Sequence, residues 1–286
     1  PAATPTAGGV FPTAGQQAAT TAPGAPGAGA LPQAGYVPSV QPSYYRPEAV
    51  TQVTKESVNY AAVNSAGNLR YYNNNDGKFY QVLPDGTTKQ MSDQTFYNVQ
   101  KVTWAKTADK AVLEYPDSSK IIYNFDAQKQ YTIPKHWNEF SFSADSTEIA
   151  AKSIGLSPEN RWLVTVKDDG TGTQLIEPMG ENADKVIVDW SPSKQAVGFS
   201  MTGNPLGTYR KEVLLVGLHG ENFKSLIVEG LGFQPQWSST GKKLAYSVYS
   251  TNSDLKPELW VVDSYGQSIG SNRQNLGINT WANKCT

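Results

Sequence analysis

Apolar and polar residues alternate in short runs along most of the chain, and this spacing of two predicts β-strands rather than helices. The stretch "FQPQWSSTGKKLAYSVYS" (233–250) illustrates the pattern. Trp237 ends one run, residues 238–241 form a turn-forming Ser/Thr/Gly cluster, and the next run alternates through Leu244, Tyr246 and Val248. Two such runs joined by a short turn predict an antiparallel hairpin.

The same arrangement recurs along the chain, each time with a large or branched apolar residue, here called the anchor, just before the turn. Successive anchors are 38 to 48 residues apart, which matches the roughly 40–45 residues of a four-stranded propeller blade. The anchors are Val63, Trp104, Phe142, Trp190, Trp237 and Trp281.

The second half of each unit also repeats, as in "GKFYQVLPDGTTKQM" and "PELWVVDSYGQSI". Each of these reads as a strand, a turn and another strand. Asp85-Gly86, Asp169-Gly170 and His219-Gly220 supply residues that accept the positive φ of tight hairpin turns. Each unit is therefore predicted to contain four antiparallel strands, A to D, with the anchor on strand A.

A blade must bury both faces of its sheet against its neighbours. We expect a large aromatic anchor to fill the wedge between adjacent blades, where burial stabilises the fold by roughly 1.5–3 kcal/mol. Four anchors are therefore interpreted as structural residues rather than ligand platforms: Trp104, Phe142, Trp190 and Trp237.

These observations predict an all-β chain, a β-propeller of four-stranded antiparallel blades spanning residues 47–286. Five blades are complete, and a sixth begins at Trp281. Because an open edge strand invites aggregation, the ring needs closure. The favoured interpretation is a chain truncated at its C-terminus. The alternatives are a missing strand supplied by residues 46–57 or by a partner.

The repeat resembles the TolB-type, WD40-like (PD40) β-propeller repeat. Residues 235–246, "PQWSSTGKKLAY", followed by "ELWVVD" at 258–263, match its pattern best, and "DWSPSKQAVGF" at 189–199 comes next. Lys194 and Thr240 depart from the usual Asp or Gly of this family. The resemblance implies a location in the cell envelope and protein partners.

Composition separates a leader from the propeller. Residues 1–45 contain no charged residue and are rich in Ala, Pro, Gly, Thr and Gln, so they offer too little apolar surface to offset the entropy of ordering. Residues 1–46 are predicted to form a disordered linker. It is either a plain tail or a spacer that holds the propeller away from a membrane or wall, and the spacer predicts an extracytoplasmic location.

Charge and hydropathy exclude two classes of partner. The 24 basic and 25 acidic residues give a net charge of −1, with no basic stripe for nucleic acid. No apolar run approaches the roughly 18–20 residues that span a bilayer. A membrane anchor upstream of residue 1 stays an open alternative. Cys285 is the single cysteine, so no disulfide can form within the chain. We also expect the protein to be a monomer.

Three motifs suggest chemistry without supporting it, and no catalytic, metal or cofactor site is predicted. "GQSIG" (266–270) fits G-x-S-x-G but lacks the strand–turn–helix setting and the downstream acid and histidine of a hydrolase. "YNNNDGKF" (72–79) lacks the final glutamate of a calcium loop. His136 and His219 lie far apart in sequence.

The B–C connections differ most between units. They are short at 73–77 and 116–119 and longer at 154–160, 201–210 and 250–257. Because loops on a rigid scaffold concentrate binding residues, these longer loops predict a binding face. The candidate binding residues are Asn204, Tyr209, Arg210, Asn252 and Asp254.

The leading functional prediction is a non-enzymatic binding module that contacts a protein or a cell-envelope component through its loop-rich face. The alternative is the gating propeller of a prolyl-oligopeptidase-like serine peptidase, or of another hydrolase whose catalytic domain lies outside this chain. On the leading hypothesis the chain is not an enzyme.

Overall fold

The structure, a computed structural model, describes residues 52, 54–193, 196–219, 225–249, 256–265 and 268–277. Its strands form five four-stranded sheets, each made of four strands that follow one another in the chain. We call these sheets blades 1 to 5. The strands are β1 (Val58–Val63), β2 (Leu69–Asn73), β3 (Lys78–Val82), β4 (Thr88–Gln90), β5 (Lys101–Trp104), β6 (Lys110–Glu114), β7 (Lys120–Asn124), β8 (Lys129–Ile133), β9 (Trp137–Phe142), β10 (Glu148–Ile154), β11 (Arg161–Lys167), β12 (Gln174–Pro178), β13 (Val186–Val188), β14 (Ala196–Ser200), β15 (Arg210–Gly217), β16 (Leu226–Glu229), β17 (Leu231–Trp237), β18 (Lys243–Tyr249), β19 (Pro257–Tyr265) and β20 (Ser268–Asn275).

Neighbouring strands within every blade are antiparallel and follow chain order. This confirms the predicted propeller of four-stranded blades. Two short 3₁₀ helices, Pro158–Asn160 and Gly180–Lys185, interrupt the pattern. Within the described part of the chain, no helix is long and apolar enough to cross a membrane. The predicted linker 1–46 and the start of a sixth unit at Trp281 lie outside the described residues.

The turn after most anchors has a local chemical cause. At four of the five described anchors, the next residue accepts hydrogen bonds from turn amides through its side-chain oxygen, whereas Trp104 is followed by Ala105, which has none. Ser143 Oγ accepts from Thr147 N (3.2 Å) and Glu148 N (3.0 Å), and Ser238 Oγ accepts from Lys243 N (3.1 Å). Such side-chain bonds satisfy backbone donors that the ladder leaves unpaired. The recurring aromatic–serine pair therefore encodes the A–B hairpin directly.

The hydrophobic core lies between the blades rather than inside any one of them. Four clusters of buried residues each draw on two consecutive blades. In the cluster shared by blades 4 and 5, for example, Phe199 stacks on the Trp237 ring with centroids 5.4 Å apart. A single four-stranded sheet has no interior of its own, so adjacent blades fold as mutual supports.

The aromatic anchors fill these wedges as predicted. Phe142 and Trp190 are 1% exposed and Trp237 is 6% exposed. Two of the indoles also bond to the preceding blade, because Trp104 Nε1 donates to Tyr60 O (2.7 Å) and Trp237 Nε1 donates to Asp189 O (3.2 Å).

Val63, the anchor of the first unit, behaves differently and is 55% exposed. Each aromatic anchor packs against the blade that precedes it, and blade 1 is the first blade of the described chain. Residues 52 and 54–57, part of the segment considered as a source of an extra strand, form no strand. Ring closure therefore stays a prediction.

Aspartates fix several of the tight turns. In the C–D turns of blades 1 and 3, Asp85 and Asp169 each accept hydrogen bonds from the backbone N and Oγ1 of the threonine two residues on. The glycines between them have positive φ, +82° at Gly86 and +78° at Gly170. The predicted Asp-Gly hairpins are thus confirmed, while Gly220 lies outside the described residues.

An acid titration tests one such turn. Bonds from Ser119 and Lys135 lower the pKa of Asp117 from 3.8 to about 2. A carboxyl group whose pKa is lower in the folded than in the unfolded state stabilises the fold at pH values above the unfolded-state pKa. That stabilisation is lost as the pH falls toward the folded-state pKa. In urea unfolding above pH 4, the Asp117→Asn variant is expected to have a lower free energy of unfolding than the native chain. This gap in stability is expected to close near pH 2. A gap independent of pH would contradict this origin.

Candidate functional site

Three of the sequence-predicted binding residues are described: Asn204 and Tyr209 lie in the B–C loop of blade 4, between β14 and β15, and Arg210 begins β15. The backbone N and Nδ2 of Asn204 donate to Glu212 Oε2 at 3.3 and 3.2 Å. Arg210 Nε lies 3.7 Å from Glu229 Oε1, and Tyr209 is 46% exposed. Asn204 and Arg210 thus help to hold the loop on its own blade.

The other two candidates, Asn252 and Asp254, lie outside the described residues. The binding role of the whole set stays a prediction. The longer B–C connections of blades 3 and 4 are observed, at residues 155–160 and 201–209.

A central cavity of about 450 Å³ lies among the five blades. Every blade contributes its first strand to the wall, through Ala62 of β1, Thr103 of β5, Phe140 of β9, Val188 of β13 and Gln236 of β17. The innermost strands therefore surround one common space, as radial repetition of blades requires.

The wall of the central cavity carries both signs of charge. Lys101 is 52% exposed and pairs with Glu114 at 3.3 Å, and Glu139 is 49% exposed and pairs with Lys152 at 2.8 Å. Lys106 Nζ donates to the Trp190 carbonyl at 3.1 Å, so it links blade 2 to blade 4 across the cavity. The wall thus offers polar contacts of either sign beside the rings of Trp104 and Trp237.

Three of the innermost strands, β1, β9 and β17, carry a β-bulge that the sequence did not reveal, and in two of them a residue other than glycine takes the strained position. Tyr60 in β1 and Glu139 in β9 have positive φ, 53° and 54°, where the pairing register shifts. Both residues lie three positions before their anchors. Bulges re-aim side chains at barrel rims and next to active sites, and Glu139 lines the central cavity.

Arg70 is a buried charge that sequence reading also missed. Its guanidinium donates to Ala105 O and Ala108 O, both at 2.9 Å, and pairs with Asp109 Oδ1 at 3.2 Å. It lies 4.6 Å from the Trp104 ring centroid. Burial lowers the pKa of Arg70, and the Asp109 carboxylate opposes that shift. The signal in the sequence was a single arginine inside the apolar run "LRYY".

A second cavity, the blade 3–4 groove, opens between the outer parts of these two blades and holds about 270 Å³. Its apolar lining includes Leu163, Met179, Val186 and Leu214. Polar groups line it as well: Glu177, Asn182, Ser200 and Thr202. It lies on the face that bears the B–C and D–A connections, near the loop predicted to bind.

The described parts of the motifs considered for chemistry lie in a strand and a tight turn. Ser268 begins strand β20 of a hairpin, so "GQSIG" lacks the setting of a nucleophile elbow. Asp76 accepts from Lys78 N (2.9 Å) and from the Tyr80 hydroxyl (2.6 Å) inside a tight turn. Among the described residues no group of three or more His, Cys, Asp or Glu side chains could hold a metal ion.

Comparison with known proteins rests on structure alone. No protein-family model and no curated protein matches the chain. A prolyl endopeptidase structure matches with a TM-score of 0.51 at 12% identity, covering 77% of this chain and 36% of that one. Oligogalacturonate lyase from Vibrio parahaemolyticus matches with a TM-score of 0.49 at 12% identity, covering 78% of this chain and 67% of that one. Virginiamycin B lyase from Staphylococcus aureus matches with a TM-score of 0.43 at 12% identity, covering 77% of this chain and 70% of that one.

The likeness to the prolyl endopeptidase structure supports the β-propeller fold, and TolB-type membership stays a prediction. The same likeness contradicts the prediction that the chain is not an enzyme, because a structurally similar chain is a peptidase. That prediction rested on the lack of a catalytic set of residues in this sequence. A propeller can instead be part of an enzyme whose reacting groups lie in another domain.

Proposed function

We propose that this propeller is the substrate-admitting domain of a hydrolase, with the reacting groups on a domain outside the described residues. The observation that carries the proposal is the central cavity, since it is bounded by the first strand of every blade. The likeness to a prolyl endopeptidase supports this choice among propeller roles, and the chain spans 36% of that protein's length.

The dimensions and chemistry of the central cavity favour an extended peptide as the substrate. Its volume of about 450 Å³ lies within the range of roughly 300–1,000 Å³ for small-ligand sites, which is too small for a folded domain. The half-buried ring of Trp104 offers aromatic surface, while Lys101 and Glu139 offer charges of both signs. A cavity lined in this way is expected to select peptides by the thickness of the chain rather than by the identity of one side chain.

We further propose that the protein acts outside the cytoplasm and belongs with TolB-type propellers. The uncharged leader, residues 1–45, and the aromatic–serine repeat support these two statements. Detection of the native protein in the cytoplasmic fraction of its cell would contradict the location.

The test uses the natural gene product that contains these residues. A fluorophosphonate probe, which labels active hydrolase serines, and internally quenched peptides of about eight residues are applied to the native protein and to Gln236→Trp. The added indole is expected to narrow the central cavity. Peptide turnover should fall at least about fivefold, with labelling unchanged. Gln174→Trp, an exposed position on β12, should leave both unchanged.

Two outcomes would overturn the proposal. If the native protein takes no label and cleaves no peptide, the proposal that it is a hydrolase is contradicted. Equal turnover by the native protein and Gln236→Trp would show that substrate does not pass through the central cavity.

A further inference from the structure

We propose that the blade 3–4 groove binds an extended peptide segment of a partner protein, one that carries a large aliphatic side chain next to a lysine or arginine. This site is separate from the central cavity, and the inference does not depend on the hydrolase proposal.

The lining of the groove calls for an aliphatic side chain. Met179 and Val186 are each 5% exposed, and Leu163 is fully buried, so they form a fixed apolar floor. Leu214 lies across from them and is 37% exposed. The groove holds about 270 Å³, enough for one or two side chains and too little for a helix about 10 Å across.

Hydrogen-bonding groups along the groove suit an extended backbone. Ser200 Oγ and Thr202 Oγ1 lie 2.8 Å apart on the blade 4 side. On the blade 3 side, Asn182 Oδ1 accepts from Lys185 Nζ at 3.0 Å, so its amide nitrogen can donate to a peptide carbonyl. An extended peptide exposes such partners on both of its edges.

Around the groove, the carboxylates of Glu177, Glu181 and Asp184 outnumber the basic side chains of Lys185 and Arg161. Glu177 lines the groove and has no ion pair among the described residues. Glu181 and Asp184 follow within the Gly180–Lys185 helix, and only Glu181 has a basic partner there, Arg161 at 3.6 Å. Opposite charge beside an apolar pocket favours a cationic group next to the buried side chain.

The walls of the groove are held before any ligand arrives. Met179 N donates to Arg161 O at 2.8 Å, and Met201 N donates to Lys185 O at 2.9 Å. These bonds tie the connection between blades 3 and 4 to a strand end on each side. A preformed site binds more tightly because less ordering is left for the binding step.

Three fluorescein-labelled hexapeptides test the proposal by fluorescence anisotropy: Ser-Ala-Leu-Arg-Ala-Ser, the same peptide with Glu for Arg, and the same peptide with Ala for Leu. The Leu-Arg peptide is expected to bind at least about tenfold more tightly than either of the others. Glu177→Gln should weaken that peptide at least about threefold, and Thr202→Trp should abolish its binding. Thr208→Trp, exposed on the same loop, should not change it.

Thermal unfolding of each variant verifies that the propeller is intact. Equal affinity for the three peptides, no binding at 1 mM peptide, or binding of the Leu-Arg peptide that survives Thr202→Trp would each overturn the proposal. Self-association of the native chain that Thr202→Trp abolishes would place a second copy in the groove instead, and would overturn it too.

Discussion

Replacing Trp190 with alanine is expected to lower the free energy of unfolding by about 3–5 kcal/mol. The indole is 1% exposed and belongs to the core cluster shared by blades 3 and 4. Its removal leaves a void that rigid strands on both sides cannot close. The measurement is guanidinium unfolding followed by circular dichroism, which does not depend on the removed fluorophore.

The matched control for this loss is Trp162→Ala. Trp162 is half-buried on β11, where it packs at the margin of the cluster shared by blades 2 and 3 and its Nε1 donates to Glu159 O at 3.0 Å. Partial burial predicts a smaller loss, about 1–2 kcal/mol. Equal losses at Trp190 and Trp162 would mean that the anchors do not support the blade interfaces.

Replacing Arg70 with alanine is expected to cost about 3 kcal/mol, the lower end of the range for breaking a buried ion pair. The side chain is 1% exposed, whereas its partner Asp109 is 22% exposed and keeps some hydration. The substitution leaves the buried Ala105 carbonyl without the Arg70 donor, whereas Ala108 O keeps its bond from Lys110 N at 2.9 Å. The same guanidinium unfolding experiment measures the loss.

Arg210→Ala is the control for Arg70, because it removes an arginine from an exposed pair. Arg210 is 54% exposed, and its ion pair with Glu229 is long at 3.7 Å. Such a pair contributes about 0–1 kcal/mol. A loss at Arg70 no larger than that at Arg210 would rule out the buried guanidinium as a link between blades 1 and 2.

The repeat could be predicted from the sequence because its determinants are local. Ser238 shapes the turn that follows Trp237, and Asp85 shapes the turn around Gly86, through bonds within five residues. Such contacts leave a mark at fixed spacing in the chain. The aromatic anchors could be predicted for a similar reason, because they occupy the same position in successive units of the repeat.

The cavities could not be predicted, because they depend on how blades meet. Thr202 lines the blade 3–4 groove, while its neighbour Asn204 bonds to Glu212 of its own blade, and nothing in the loop sequence separates the two. Likewise Arg70 meets Trp104 only across an interface. Val63 is exposed although the repeat marks its position, because the described chain has no blade before it to pack against.

The packing of each blade on the one before it is tested most directly by hydrogen exchange of the tryptophan indoles, followed by NMR on ¹⁵N-labelled protein. Trp104 Nε1 and Trp237 Nε1 each donate to a carbonyl of the preceding blade, whereas Trp162 Nε1, on β11, donates to the exposed Glu159 carbonyl of its own blade. The indole protons of Trp104 and Trp237 are expected to exchange at least about tenfold more slowly than that of Trp162. Exchange at Trp237 as fast as at Trp162 would contradict the radial packing of the blades.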